Sequence, residues 1–193
     1  MIDFGYNASA DPRALPNGWF YPPDIAAYRD ICKTLVPQEG KIAEIGTYRG
    51  RSLMSIAEIL REKQIKVIAV DTFSTAYKQD LARDRYKCFA EKCATFGISD
   101  LVTIFNGASV NAAKQVADSS LDFVFIDGDH LAVAVAADIA AWRPKIKPDG
   151  WIGGHDFNYE SVQKSVRKVY RATYRYEGSA IWLAKAHEWS YVE

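Results

Sequence analysis

Residues 41–71 read KIAEIGTYRGRSLMSIAEILREKQIKVIAVD, and this stretch decides the fold. KIAEIG is a short apolar strand stopped by Gly46, RSLMSIAEILREK has helical apolar spacing, and KVIAVD is a second strand ending at Asp71. Two strands joined through a helix lie parallel in one sheet.

The alternation continues in both directions. Upstream, PPDIAAYRDICKTLVPQEG (22–40) puts Ile25, Tyr28, Cys32 and Leu35 on one helical stripe that ends near Pro37 and Gly40. Downstream, a long polar connection leads into a helix within YKQDLARDRYKCFAEKCATFGI (77–98). LVTIFNG (101–107) then reads as a strand, SVNAAKQVA (109–117) as a helix and LDFVFIDGD (121–129) as a buried strand. LAVAVAADIAAW (131–142) alternates like a strand, but its length, its alanines and the spacing Leu131, Val135, Ile139, Trp142 make it a helix. WIGGHD (151–156) is a strand, and ESVQKSVRKVY (160–170) is a helix with Val162, Val166 and Val169 inward. ATYRYEGSAIWLAKA (172–186) is a hairpin around Glu177-Gly178.

The expected fold is α/β: a single Rossmann-like domain over 1–193, with 1–37 as N-terminal segment and helix and 38–193 as core. Its sheet is mostly parallel and seven-stranded, with helices on both faces and a C-terminal antiparallel hairpin.

Lysine plus arginine number 24 against 24 acids, so no overall field draws nucleic acid or an anionic membrane. No apolar run approaches membrane-spanning length. MIDFGYNASADPRALPNG lacks the basic region and apolar block of a secretory signal, so the expected location is cytoplasmic. Cys32, Cys88 and Cys93 form no C-x-x-C pair and read as buried, reduced thiols.

In open parallel sheets ligands bind beyond the carboxyl ends of the strands, and Glu44, Asp71, Asp127 and Asp156 all fall there. AEIGTYRGRS is a glycine-punctuated strand-to-helix turn, but Tyr48 stands where G-x-G-x-x-G needs its second glycine. Glu44, Gly46 and Gly50 remain, and an acid before the turn repels a pyrophosphate while suiting a cationic amine. Asp71 is placed to accept hydrogen bonds from two ribose hydroxyls. A ligand with an ammonium group and a ribose but no phosphate fits S-adenosylmethionine; the plain alternative is a tight turn.

With these residues the chain resembles the class I methyltransferases that bind S-adenosyl-L-methionine. It is most similar to the small group related to macrocin O-methyltransferase and other metal-dependent sugar and catechol-type O-methyltransferases. GWF (18–20) with the following helix, AEIGTYRGRS, VIAVDTF, FGISDLVTIFNGAS, FIDGDH and KPDGWIGGHDF carry the resemblance in order from about residue 18 to 157. It implies that Glu44 and Gly46 hold the methionine part, Asp71 the ribose, and that Ser109 lies near the adenine. Gly50, Ser52, Thr72 and Asp127 complete the expected cofactor set.

It also implies a divalent cation, Mg²⁺ or Mn²⁺, on Asp127, His155 and Asp156, with Gly153-Gly154 letting the second strand end approach closely. The relatives carry two adjacent acids at the last pair, and His155 departs from that pattern. Imidazole suits Mn²⁺ or Fe²⁺ better than Mg²⁺. Asp129 stands where the family places a general base, with His130 as its competitor. Alternatively Asp129 caps the helix near Leu131, and His130 is a hydrogen-bonded histidine at that helix start. Where relatives carry a serine and a tyrosine, this chain has Leu131 and Ala132.

Lys164, Lys168, Arg171 and Arg175 form a stripe that reads as a solvated face, or as a dock for a phosphorylated substrate. Trp19, Phe20 and Tyr21 form a lid or pack on the sheet edge, and residues 72–87 are a candidate mobile lid.

The expected function is metal-dependent O-methyl transfer to a hydroxyl of a small molecule, sugar or phenol-like, with a homodimer suggested by the aromatics near the N-terminus. The alternatives are a metal-independent methyltransferase with a His/Asp base, and a metallophosphoesterase-like hydrolase. The hydrolase would need an early D-x-H, and His130 is the first histidine.

Overall fold

The structure is a computed structural model and describes residues 14–74 and 84–188. The N-terminal stretch 1–13 and most of the candidate lid, 75–83, lie outside the described residues, as does the start of the helix expected from residue 77.

Five strands run parallel: β1 (Lys41–Ile45), β2 (Lys66–Asp71), β3 (Val102–Asn106), β4 (Leu121–Ile126) and β5 (Ile146–Gly154). The short β6 (Tyr174–Arg175) and β7 (Trp182–Lys185) close the chain, and β7 runs antiparallel to both its neighbours. The order across the seven-stranded sheet is β3-β2-β1-β4-β5-β7-β6.

The helices are α1 (Pro22–Thr34), α2 (Arg51–Ser55), α3 (Ala57–Lys63), α4 (Arg85–Thr95), α5 (Ser109–Ala113), α6 (Ala132–Trp142) and α7 (Glu160–Val169). They cover both faces of the sheet, and alternation along β4 shows how. Phe123 and Phe125 enter one core with Tyr28 and Ile31 of α1, Leu60 of α3 and Phe89 of α4. Val124 and Ile126 enter the other with Ala112 of α5, Ile139 of α6 and Val166 of α7. Every residue of β4 is buried, as a central parallel strand requires.

Several elements differ in detail from expectation. The helix expected over 51–63 breaks at Ile56 (φ −107°, ψ 4°). Arg29 Nη1 donates to the Ser55 carbonyl at 2.6 Å, and Ser55 Oγ donates to the Ser52 carbonyl, so side chains occupy acceptors the helix would otherwise use. The helix expected over 109–117 ends at Ala113, and two i→i−3 turn bonds follow. β5 starts five residues before Trp151, because its pairing with β4 shifts between Leu121 and Phe123 and the extra residues of β5 bulge. Leu131 is exposed rather than part of the buried stripe, which begins at Val135. In α1 the buried line is Asp24, Ala27, Tyr28, Ile31 and Cys32, while Ile25 is half-buried. The three cysteines are free thiols, with Cys88 only half-buried. No helix among the described residues is long and apolar enough to cross a membrane.

Phe125 is fully buried and stacks on Tyr28 at 4.4 Å between ring centroids. Phe125→Ala is therefore expected to cost about 3–5 kcal/mol in urea unfolding, whereas Val133→Ala, on the exposed side of α6, stays within about 0.5 kcal/mol. A cost below about 1 kcal/mol for Phe125→Ala would mean that the packing of α1 on β4 is not as described.

Candidate functional site

The five parallel strands end at one edge, and a cavity of about 1140 Å³ opens there. Its lining includes Gly46, Ser52, Asp71, Thr72 and Ser109, and also Asp127, Asp129, His130, His155 and Asp156.

Gly46 has φ +86°, and a Cβ there would stand 2.0 Å from the Asp127 carbonyl oxygen. Only glycine lets the turn after β1 lie against the end of β4. Its N–H donates to the Val70 carbonyl (2.8 Å), which ties the same turn to β2. Asp71 accepts from the Tyr48 N–H at 2.7 Å on Oδ2 and from the Phe73 N–H at 2.6 Å on Oδ1. Each oxygen keeps a further lone pair, so the carboxylate is aimed while still able to accept from hydroxyls.

Glu44 and Gly50 are absent from the lining. Glu44 is fully buried beneath the turn, where Tyr28 Oη (2.9 Å) and Ser52 Oγ (2.8 Å) donate to its two oxygens. Burial pushes its carboxyl up to about 8, against the pull of those two hydrogen bonds. It therefore lies beneath the turn and outside the cavity lining. Gly50 takes φ +81° as the residue just before α2, a conformation that suits glycine.

Thr72 is exposed, and its hydroxyl meets Ser74 Oγ at 2.9 Å. Ser109 Oγ accepts from Trp142 Nε1 at 2.7 Å. Beside it is Asp138, whose carboxyl is raised by burial against a hydrogen bond from Ser109. Sequence reading missed Asp138, although it is the one charge within LAVAVAADIAAW.

Also at the cavity, Asp127, His155 and Asp156 each offer a ligand atom, and these atoms lie within 4.8 Å of one another. His155 Nδ1 is 3.5 Å from Asp127 Oδ1 and 3.1 Å from Asp156 Oδ1. Gly153 and Gly154 permit this: a Cβ on Gly154 would stand 2.4 Å from the Ile126 carbonyl, and one on Gly153 2.8 Å from that of Trp182. Two carboxylates and an imidazole with open space before them suit a divalent ion such as Mn²⁺. Burial disfavours charge on His155, but Asp127, Asp156 and Asp24 overcome it and push the imidazole up to about 12. Burial likewise raises Asp127, with His155 opposing.

Asp129 does not cap α6. Its Oδ1 accepts from the Leu131 N–H at 2.9 Å, an Asx turn that precedes the helix. His130 is half-exposed, with Nδ1 3.0 Å from Asp156 Oδ2 and its ring stacked on Tyr159. The aromatic triple divides: Phe20 is buried against His155, whereas Trp19 and Tyr21 are exposed at the cavity wall. The basic stripe does not act as one face, since Lys164 pairs with Glu160 and Arg175 lies over the Phe157 ring at 4.4 Å. Sequence reading also missed Asp24, which the structure places 3.3 Å from His155 Nε2.

A sheet of this order, with a glycine turn after β1 and an acid at the end of β2, is the architecture of a class I methyltransferase. The methyltransferase domain family matches residues 43–157, more than half of the chain, and the chain belongs to that family. No curated protein sequence matches it significantly. Among solved structures, a protein from Corynebacterium glutamicum is similar with a TM-score of 0.64 at 11% identity, over 88% of this chain and 82% of that one. The geranyl diphosphate C-methyltransferase of Streptomyces coelicolor A3(2), in complex with Mg²⁺, geranyl-S-thiolodiphosphate and S-adenosyl-L-homocysteine, gives 0.55 at 9% identity, over 88% and 70%. A geranyl diphosphate methyltransferase in complex with GPP and sinefungin gives 0.57 at 11%, over 81% of this chain and 63% of that one. The chain thus spans less than two thirds of that last protein's length. At these identities the likeness is one of fold. Family and fold together leave no place for the hydrolase alternative.

Because Glu44 binds its proton more tightly folded than unfolded, the folded chain holds more protons between about pH 4.5 and 8, and stability falls as pH rises through that window. Glu44→Gln removes this dependence and is expected to gain on the order of 1–3 kcal/mol at pH 8 relative to pH 5. Parallel pH slopes for the two proteins in thermal melts would show that Glu44 is charged in the fold.

Proposed function

We propose that this protein is an S-adenosylmethionine-dependent O-methyltransferase that uses a divalent cation and acts on a hydroxyl of a small molecule, a sugar or a phenol. Membership of the methyltransferase family supports the reaction class. One observation carries the rest: the cation-binding set Asp127, His155 and Asp156 lines the same cavity as the Gly46 turn and Asp71.

In this reading Asp71, already held by two backbone N–H groups, accepts the ribose hydroxyls. Gly46 and Ser52 line the methionine end, and Thr72 and Ser109 the remainder of the cofactor. A bound Mg²⁺ or Mn²⁺ lowers the pKa of the acceptor hydroxyl and fixes its place. Asp127 joins the two halves, because its backbone touches the cofactor turn and its side chain belongs to the cation set. The new O–CH₃ bond forms as the S–CH₃ bond breaks, S-adenosylhomocysteine leaves, and the hydroxyl proton passes to Asp129. His130 is the weaker candidate for that proton, since Nδ1 is engaged with Asp156. It positions Asp156 instead.

The halves separate by mutation. Asp71→Ala is expected to abolish S-adenosylhomocysteine binding in calorimetry. Asp127→Ala is expected to weaken Mn²⁺ binding by more than about 100-fold, beyond what supporting residues cost, and to stop turnover while S-adenosylhomocysteine still binds. Turnover that persists in Asp127→Ala, or in chelator, would remove the cation from the mechanism.

A further inference from the structure

His155 presents its two ring nitrogens to different surroundings. Nδ1 faces Asp127 and Asp156, and Nε2 faces Asp24 Oδ2 at 3.3 Å. Nε2 is sealed from solvent, and its approach to Asp24 is close without being aligned as a hydrogen bond. A neutral imidazole gives a lone pair from one nitrogen only when the proton sits on the other. The group beside the second nitrogen therefore decides whether the first can serve as a ligand.

Asp24 is itself tightly fixed. Its Oδ2 accepts from the Tyr21 N–H at 3.0 Å, and its Oδ1 accepts from Ser179 Oγ and the Ala180 N–H, both at 2.9 Å. Burial alone would raise its carboxyl, but His155 and these donors bring it down to about 2. A clip between the start of α1 and the loop before β7 explains the bonds to Oδ1. The capping of α1 explains the bond from the Tyr21 N–H to Oδ2, and the same Oδ2 also stands beside the imidazole.

The geometry points to Asp24 as the positioning residue of His155, keeping the proton on Nε2 and so offering Nδ1 as a ligand beside Asp127 and Asp156. This role rests on the cation reading of the site. It also accounts for the departure from paired acids: an imidazole in the first position needs an acceptor behind it, and α1 supplies one 131 residues away in sequence.

A double-mutant cycle on the full chain separates positioning from clipping. Free Mn²⁺ is followed by electron paramagnetic resonance at one fixed pH for the wild type, Asp24→Asn, His155→Asp and the double variant. Asp24→Asn is expected to raise the Mn²⁺ Kd about 10–100-fold. In the His155→Asp background, which has no imidazole to orient, the same change is expected to shift Kd less than about twofold. Equal losses in both backgrounds, or no loss in the first, overturn the positioning role. Saturable Mn²⁺ binding by the wild type is the check on the cation reading itself; its absence overturns that reading and this role with it.

A second measurement needs no variant and so survives any failure of Asp24→Asn to fold. In the nitrogen–proton correlation spectrum of the Zn²⁺-loaded wild type, the His155 proton is expected on Nε2. A proton on Nδ1 would contradict the inference.

Discussion

The turn after β1 lies against the backbone of Asp127, and the two halves of the site depend on that contact. Gly46 leaves no room for a side chain there: a Cβ would fall 2.0 Å from a carbonyl oxygen. The parallel register Ile45↔Ile126 brings the two strand ends level, and the Asp127 N–H bonds the Ile45 carbonyl at 2.8 Å. One residue pair thus joins the glycine turn to the acid that begins the proposed cation set. The energy for holding this edge comes from the buried faces of β1 and β4, whose alternate residues fill both cores.

The helix that precedes the sheet contributes more than cover. α1 sends Tyr28 to Glu44 under the turn, Asp24 to His155 beside Asp127 and Asp156, and Arg29 to the carbonyl at the break between α2 and α3. Each contact ends at a polar group that would be costly if buried alone. Glu44 and Asp24 show opposite outcomes of burial. With two hydroxyl donors Glu44 stays protonated through neutral pH, whereas Asp24, with backbone donors and an imidazole, stays charged. Glu44 is wholly buried and also faces Asp127 and Asp71, which its two hydroxyl donors do not offset, whereas the donors around Asp24 outweigh its burial.

Most of the fold was legible in the sequence, because the periods of two and 3.6 residues are clear from 41 to 71 and from 101 to 170. The reversed C-terminal strand followed from the turn at Glu177-Gly178. What was not legible depends on contacts between distant residues. The break at Ile56 needs Arg29 from another helix, and the bulge in β5 needs the register of β4. The direction of Glu44 was hidden for a different reason: a parallel strand buried on both faces does not say which face its acid joins. Asp138 stood out as a lone charge in an apolar helix and could have been read. Asp24 could not, since nothing near it in sequence announces a histidine at 155. The convergence of Asp127, His155 and Asp156 was expected from family resemblance and strand ends, and their side chains do meet.

In the proposed mechanism one strand edge builds a single cavity for both a nucleoside cofactor and a cation. A crystal structure grown with S-adenosylhomocysteine and Mn²⁺, with anomalous data at the manganese edge, tests it most directly. One anomalous peak bounded by Asp127, His155 Nδ1 and Asp156 is expected, with the ribose against Asp71 in the same cavity. Manganese elsewhere, or the nucleoside bound away from Asp71, would contradict it.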